Sequence, residues 1–333
     1  PVIQRAIIAG LLFITAAATG AVVTLIESKA RTFATTEHEF EHISPVTPFP
    51  VGVDPRAREI SEHPLVAEYF ESYLAANRRL AAADTWWGQL SGALAAFSWY
   101  QHLAAPVSRI MVVWPGQRKE EVVDHFGDIL RWSTEERAAF SELVSGSTPA
   151  LPEGTFAPGR YVAHRNAIPS DIAPLVRERF ASDILARYPD EVAAQVPLKD
   201  ALIIASLLER EARDFTDMRM ISGIIWNRLF ADMPLQLDAT LQYARGSRAG
   251  ESAWWPRPRP ADKFIDSPFN TYRHTGLPPA PIANPSPEAV LAALNPRQTS
   301  CRFYFHDARQ NFHCSDTYEG HVELLRLYYG HGK

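Results

Sequence analysis

Cysteine is almost missing: Cys301 and Cys314 are the only two in 333 residues. Their spacing matches no tetrahedral metal pattern, and no further Cys or His pair completes one, so a structural zinc site is excluded. An even count in an exported chain permits a disulfide. The turn expected between them, however, sets the pair one or two residues out of register, which argues against the bond. A strong charge of either sign is also lacking. Lys and Arg number 33 against 38 Asp and Glu, a formal net charge of −5. That excludes a histone-like nucleic-acid binder and leaves no electrostatic reason for a phosphate-backbone partner. At 46% hydrophobic and 21% charged, the composition excludes a long disordered tail and a collagen-like repeat. Proline is the one surplus, with 26 residues, many clustered. Aromatic and apolar residues between the prolines point to rigid loops.

Charge is wholly absent from residues 6–26, AIIAGLLFITAAATGAVVTLI. A helix of that length reaches ~30 Å, enough to cross a bilayer's hydrocarbon core. The competitor is a cleaved signal peptide with small residues at Ala16, Ala17 and Ala18. Because the apolar run continues through Val22, Val23, Leu25 and Ile26, a retained transmembrane anchor is the better reading. Arg5 before the span against Lys29 and Arg31 after it does not by itself favour an exported C-terminus.

The expected fold is α+β: an anchor at 6–26, a polar linker at 27–63, a smaller αβ region at 64–195 and a mixed second domain at 196–329. From Pro64 to about Ala105, Val66, Tyr69, Phe70, Tyr73 and Leu74 fall at helical spacing. Trp86, Trp87, Phe97, Trp99 and Tyr100 read as core there rather than as a carbohydrate platform. Ser108–Trp114 reads as a strand, Pro115-Gly116 as a turn, Arg118–Leu130 as a helix, Arg160–Ala163 as a strand and Ser170–Tyr188 as a helix, a small strand-helix-strand module. The second domain should hold helices from Leu198 to Arg213, Asp217 to Phe230, Pro287 to Leu294 and Tyr318 to Tyr329. Strands are expected near Arg302–His306 and Asn311–Ser315.

The helix from Leu198 is apolar on every face up to Leu208, hence buried, and then meets two carboxylates. Glu209 shares a face with Leu202, Ala205 and Ser206, and the small Ala205 and Ser206 one turn before it would leave room for a substrate. Beside hydrocarbon its charged form is disfavoured, as a general acid requires. The plain alternative is that Glu209 marks where the helix meets water. Glu211 lies about 200° further round and, with Arg210 and Arg213 beside it, reads as a solvated face.

At this point the residues show a resemblance. ASLLEREA at 205–212 is similar to the ASxxEKEA segment of the YceG-like endolytic murein transglycosylases. Further segments match in the same order: Asn227-Arg228-Leu229, MPLQLDAT at 233–240, SPFNTY at 267–272, GLPP at 276–279, PIANP at 281–285 and ALNP at 293–296. The region 107–195 resembles the family's LysM-like part more weakly. The resemblance implies a single-pass protein of the bacterial cytoplasmic membrane, its catalytic domain on the extracytoplasmic side. It would cleave glycan strands internally between N-acetylmuramic acid and N-acetylglucosamine. Glu209 takes the place of the catalytic glutamate, and Gln236, Asp238, Asn270 and Tyr272 fall at motif positions around the cleft, there to bind substrate or brace its loops. The implied partners are peptidoglycan strands, the membrane and cell-wall synthesis proteins; no metal or cofactor is implied. Phe269, Ala239, Phe312 and Arg213-Asp214 depart from the family pattern. Two other readings compete: a wall-binding module without turnover, and a muramidase-type hydrolase using Asp238 as second carboxylate.

Overall fold

The computed structural model describes residues 47–72, 108–145, 151–248 and 250–330. Among them no helix is long and apolar enough to cross a membrane; the expected span at 6–26 and most of the aromatic stretch at 73–105 lie outside the described residues. The architecture of the described residues is mixed α+β, with three separate two-stranded antiparallel sheets among many helices.

The chain enters through a short hairpin, β1 (Val53–Asp54) and β2 (Glu59–Ile60). The expected linker to residue 63 is corrected here: Phe49 and Val53 are buried, and Gly52 N–H donates to Leu294 O at 2.9 Å. A Cβ on Gly52 would meet Ser61 O at 2.4 Å, so only glycine permits the closure. Two apolar residues in a polar, proline-spotted segment give no period to detect.

The smaller core belongs to the αβ region. Strand β3 (Ser108–Val113) pairs with β4 (Gly159–His164), from Ser108↔His164 to Val113↔Gly159. Strand alternation turns Met111, Val113 and Tyr161 inward and leaves Ile110 and Val162 outside. Helix α1 (Lys119–Leu130) buries Val122, Val123, Phe126 and Leu130. A second helix, α2 (Thr134–Ser145), makes the order strand-helix-helix-strand rather than strand-helix-strand. It buries only Phe140 and Val144, too few to show a stripe, but Ser133 and Glu136 form a capping box at its start. Helix α3 (Pro169–Asp183) follows and ends before Tyr188, giving way to a 3-10 turn at Leu185–Arg187.

After the short α4 (Asp190–Gln195), the larger core is organised on α5 (Leu198–Glu211), whose residues Ala201 to Leu208 are all buried. It is covered by α6 (Phe215–Phe230) and by α8 (Pro287–Leu294), with α7 (Asp238–Gly246) between them in sequence. A Cβ at Gly223 of α6 would stand 2.3 Å from Arg297 O, so glycine allows that close approach. Trp226 Nε1 donates to Ala293 O at 2.9 Å, fixing α6 against α8. The chain closes with β5 (Phe303–His306), β6 (Phe312–Ser315) and α9 (Tyr318–Tyr329).

Cys301 and Cys314 are bonded, Cα atoms 5.8 Å apart, against the expectation from register. Cys301 precedes β5, where Arg302 N–H still bonds Ser315 O and the chain bends across β6 to bring the sulfurs together.

Candidate active site

Helix α5 carries its hydrophobic run to Leu208 and delivers Glu209, half-buried, where the two cores meet. Both donors of Ser286 converge on one oxygen: Ser286 N–H reaches Glu209 Oε2 at 2.9 Å and Ser286 Oγ–H at 2.8 Å. Ser286 is also the N-cap of α8, its Oγ accepting from Ala289 N–H at 3.2 Å, with Pro287 at the first helical position. Burial holds the Glu209 carboxyl above its ordinary range, while the Ser286 bonds and the charge of Arg210 oppose the rise. Oε1 has no hydrogen-bond partner among the described residues.

The αβ region supplies one wall. Gly116 has φ +78°, and a Cβ there would lie 3.5 Å from Glu209 Cγ and 3.3 Å from Arg210 Cδ. Gly116 N–H donates to Asn284 O at 2.9 Å, and Asn284 N–H returns to Gln117 O at 2.8 Å. The Asn284 side chain, fully buried, gives Nδ2 to Gln117 O and accepts from Gly154 and Phe156 N–H, each 3.0 Å, at Oδ1. Asn284 therefore pins the turn 114–117 and the loop 153–156 to the loop that carries Ser286. Arg210 lies over the Trp255 ring at 3.8 Å, and Trp255 Nε1 donates to Glu121 Oε2 at 2.9 Å.

Ala205 and Ser206 do not leave room for substrate. Both are fully buried, and Ser206 Oγ accepts from Ile282 N–H at 3.0 Å, so the 281–283 segment fills the expected space.

The neighbouring carboxyls also differ from expectation. Glu211 is not solvated: it accepts from Ala239 N–H at 3.2 Å and from Tyr304 O–H at 2.9 Å, and burial raises its pKa. Asp238 begins α7 and accepts from Tyr272 O–H at 2.7 Å. Its charge acts on Glu211, whereas the carboxyl coupled to Glu209 is Glu288, at the second position of α8. Burial raises the pKa of Glu288, and the charges of Glu209 and Asp183 add to the rise. Two such carboxyls disfavour joint ionisation.

Of the remaining motif residues, Gln236 is exposed, with backbone φ 52° and its N–H on Thr271 O at 3.1 Å. A non-glycine residue in that region stores strain, held here by Leu237 N–H on Thr271 Oγ1. Of the two expected roles of Asn270, substrate binding and bracing, its contacts are those of a brace. It is fully buried, donates to Lys263 O and Ile265 O, and accepts from Tyr272 N–H at 3.0 Å. The fold thus brings Asp238, Tyr272 and Glu211 into one network and Glu209, Ser286 and Glu288 into another. Ser286 and Glu288 had a legible signal, since Ser-Pro-Glu ahead of an apolar run marks a helix start. Asn284 lay within the matched PIANP segment, whereas Tyr304, from the last hairpin, had no signal.

These features define a mixed α+β protein that presents a half-buried carboxyl of raised pKa at the junction of two cores. The chain belongs to the YceG-like family, whose sequence profile matches residues 57–326. It is 29% identical over 161 residues to an endolytic murein transglycosylase of Streptococcus pneumoniae, a match covering 47% of this chain and 28% of that protein. It is 39% identical over 110 residues to one of Bacillus subtilis, covering 33% of this chain and 29% of that protein. The matched region therefore spans under a third of each relative's length. The crystal structure of a YceG-like protein from Listeria monocytogenes superposes with a TM-score of 0.54 at 25% identity, covering 65% of this chain and 75% of that one.

Proposed function

We propose that this protein is an endolytic peptidoglycan transglycosylase with Glu209 as its acid. The observation that carries the reading is the state of that carboxyl: half-buried, raised by desolvation, Oε2 fixed by Ser286 and Oε1 left to hold the proton. Glycoside cleavage passes through an oxocarbenium-like state, which hydrolases flank with two carboxylates. A lytic enzyme needs only one, because the substrate carries its own nucleophile. Glu209 gives its proton to the glycosidic oxygen as the bond to the muramic C1 breaks. The C6 hydroxyl of the same sugar then attacks C1, closing a 1,6-anhydro ring, and its proton returns to the Glu209 carboxylate. The acid is regenerated and no water is consumed. The intramolecular attack gains chiefly from orientation. The exposed Gln236 and the Asp238–Tyr272 pair are assigned to contact sugar hydroxyl and acetamido groups.

The names of the relatives support this activity. The order β3-α1-α2-β4 supports reading the smaller region as a LysM-like module. Residues 6–26 are assigned as the single-pass anchor in the cytoplasmic membrane, with the catalytic region on the wall side and wall-synthesis proteins as neighbours. One observation favours a second reading, muramidase-type hydrolysis: Glu288 is coupled to Glu209 and could activate water in the place first given to Asp238. Digestion of purified peptidoglycan, followed by chromatography of the peptide-free glycan strands, tests the main proposal. Strands should shorten from within under wild type and stay intact under Glu209→Gln; intact strands under wild type would refute it.

A further inference from the structure

One exposed aromatic side chain, two residues before Gly116, has no part in the chemistry above. Trp114 is 61% exposed, although it continues directly from β3. Strand alternation puts it on the outward face with Ile110, 47% exposed, whose cross-strand partner Val162 is 49% exposed. The inward set, Met111 and Val113, already fills the core, so the indole adds nothing to packing there.

The backbone beneath that indole is nonetheless held firmly. Trp114 N–H donates to Gln117 Oε1 at 2.8 Å, and Gln117 N–H returns to Trp114 O at 3.2 Å. Gln117 O in turn takes both the N–H and the Nδ2 of Asn284, the residue two positions before Ser286. Two residues on, Gly116 stands against Glu209 and Arg210. Consecutive Cα atoms are about 3.8 Å apart, so Trp114 Cα lies within about 8 Å of Gly116 Cα. A rigid turn therefore carries an exposed indole two residues before the glycine that stands against Glu209.

We propose that Trp114 is a sugar-stacking platform of the glycan cleft, its indole packing on the apolar C–H face of a pyranose ring next to the bond broken at Glu209. The inference rests on the glycan-cleaving reading and adds a binding residue contributed by the smaller domain. A pyranose presents hydroxyls at its rim and C–H groups on its faces, and a fixed indole buries such a face with few rotors to immobilise. The contact is then made by the turn that Asn284 ties to the catalytic loop, so ring position and proton donor share one frame.

The test uses peptide-free glycan strands from purified peptidoglycan, titrated calorimetrically into the Glu209→Gln protein. Adding Trp114→Ala should weaken binding about tenfold, or ~1.4 kcal/mol, while Trp114→Phe keeps most of the affinity. In the wild-type background, Trp114→Ala should raise KM with little change in kcat. The melting temperature should hold, since the indole is exposed and its backbone bonds survive the substitution. Unchanged affinity in Trp114→Ala, or no glycan binding by the Glu209→Gln protein, would overturn the inference. The two readings fail separately. Trp114-dependent binding by a wild-type protein that does not cleave would uphold the platform and refute the catalysis. Normal cleavage and KM in Trp114→Ala would do the reverse.

Discussion

Ser286→Ala separates the two tasks that one hydroxyl performs. Its Oγ accepts from Ala289 N–H to cap α8 and donates to Glu209 Oε2. Losing a serine cap costs ~1 kcal/mol, and losing one donor to a buried carboxyl adds a comparable amount. The backbone N–H, which also reaches Oε2, remains. The expected destabilisation is about 1–2 kcal/mol, or roughly 2–8 °C in Tm for a domain of this size. The effect on catalysis has a definite sign. The hydroxyl bond favours the ionised carboxyl and opposes the rise caused by burial. Without it the pKa of Glu209 goes up further, the acid form persists to higher pH, and the alkaline limb of the pH–rate profile moves upward. The maximal rate should fall roughly tenfold, because the carboxyl is less well oriented. Ser286→Thr keeps cap and donor and should restore both. The assay is peptidoglycan solubilisation across pH, paired with thermal melting. A lower Tm with an unmoved limb would show that Ser286 serves the helix alone, and a limb moved to lower pH would reverse the assigned sign; either refutes the argument.

Glu288→Gln tests the neighbouring carboxyl, whose pKa is raised by burial and by the charges of Glu209 and Asp183. Because burial raises Glu288 in the folded protein, its stabilising effect is full below the unfolded glutamate pKa and is lost as pH rises through the folded value. The variant should therefore melt higher than wild type at neutral to alkaline pH and equally at strongly acid pH, as scanning calorimetry can check. Glu211→Ala strands the Ala239 N–H and the Tyr304 hydroxyl, costing about 1–3 kcal/mol for each buried group. Glu211→Gln keeps an acceptor and should melt within a few degrees of wild type, and equal losses would sink the bracing role. Reducing Cys301–Cys314 frees a loop with a sequence separation of 13. That should cost roughly 3 kcal/mol by loop entropy, seen as a lower Tm in reductant; an unchanged Tm would mean the hairpin needs no bond.

The elements legible from sequence were those with a repeating physical signal. The apolar run from Leu202 to Leu208 announced a buried helix, and alternation in β3 set its inward face. What escaped was fixed by partners distant along the chain. Glu211 looked solvated beside Arg210 and Arg213, yet its acceptors are filled by Ala239 and by Tyr304 from the last hairpin. Asn270 offered an amide suited to sugar recognition, but its atoms are spent within its own loop. Asp238 was a candidate second carboxylate, but it begins α7 and its side chain accepts from Tyr272. Motif resemblance found Glu209, while its immediate partner Ser286 lies just past the matched PIANP segment.

The chemistry of the new chain ends tests the central claim most directly. Purified peptidoglycan digested by the wild-type protein, reduced with borohydride and analysed by mass spectrometry, should yield 1,6-anhydromuramic ends in step with cleavage. Under Glu209→Gln neither new ends nor cleavage should appear, since the isosteric amide preserves packing but cannot supply the proton. Borohydride-reducible muramic termini accumulating in step with cleavage would identify water as the nucleophile and contradict the lytic account.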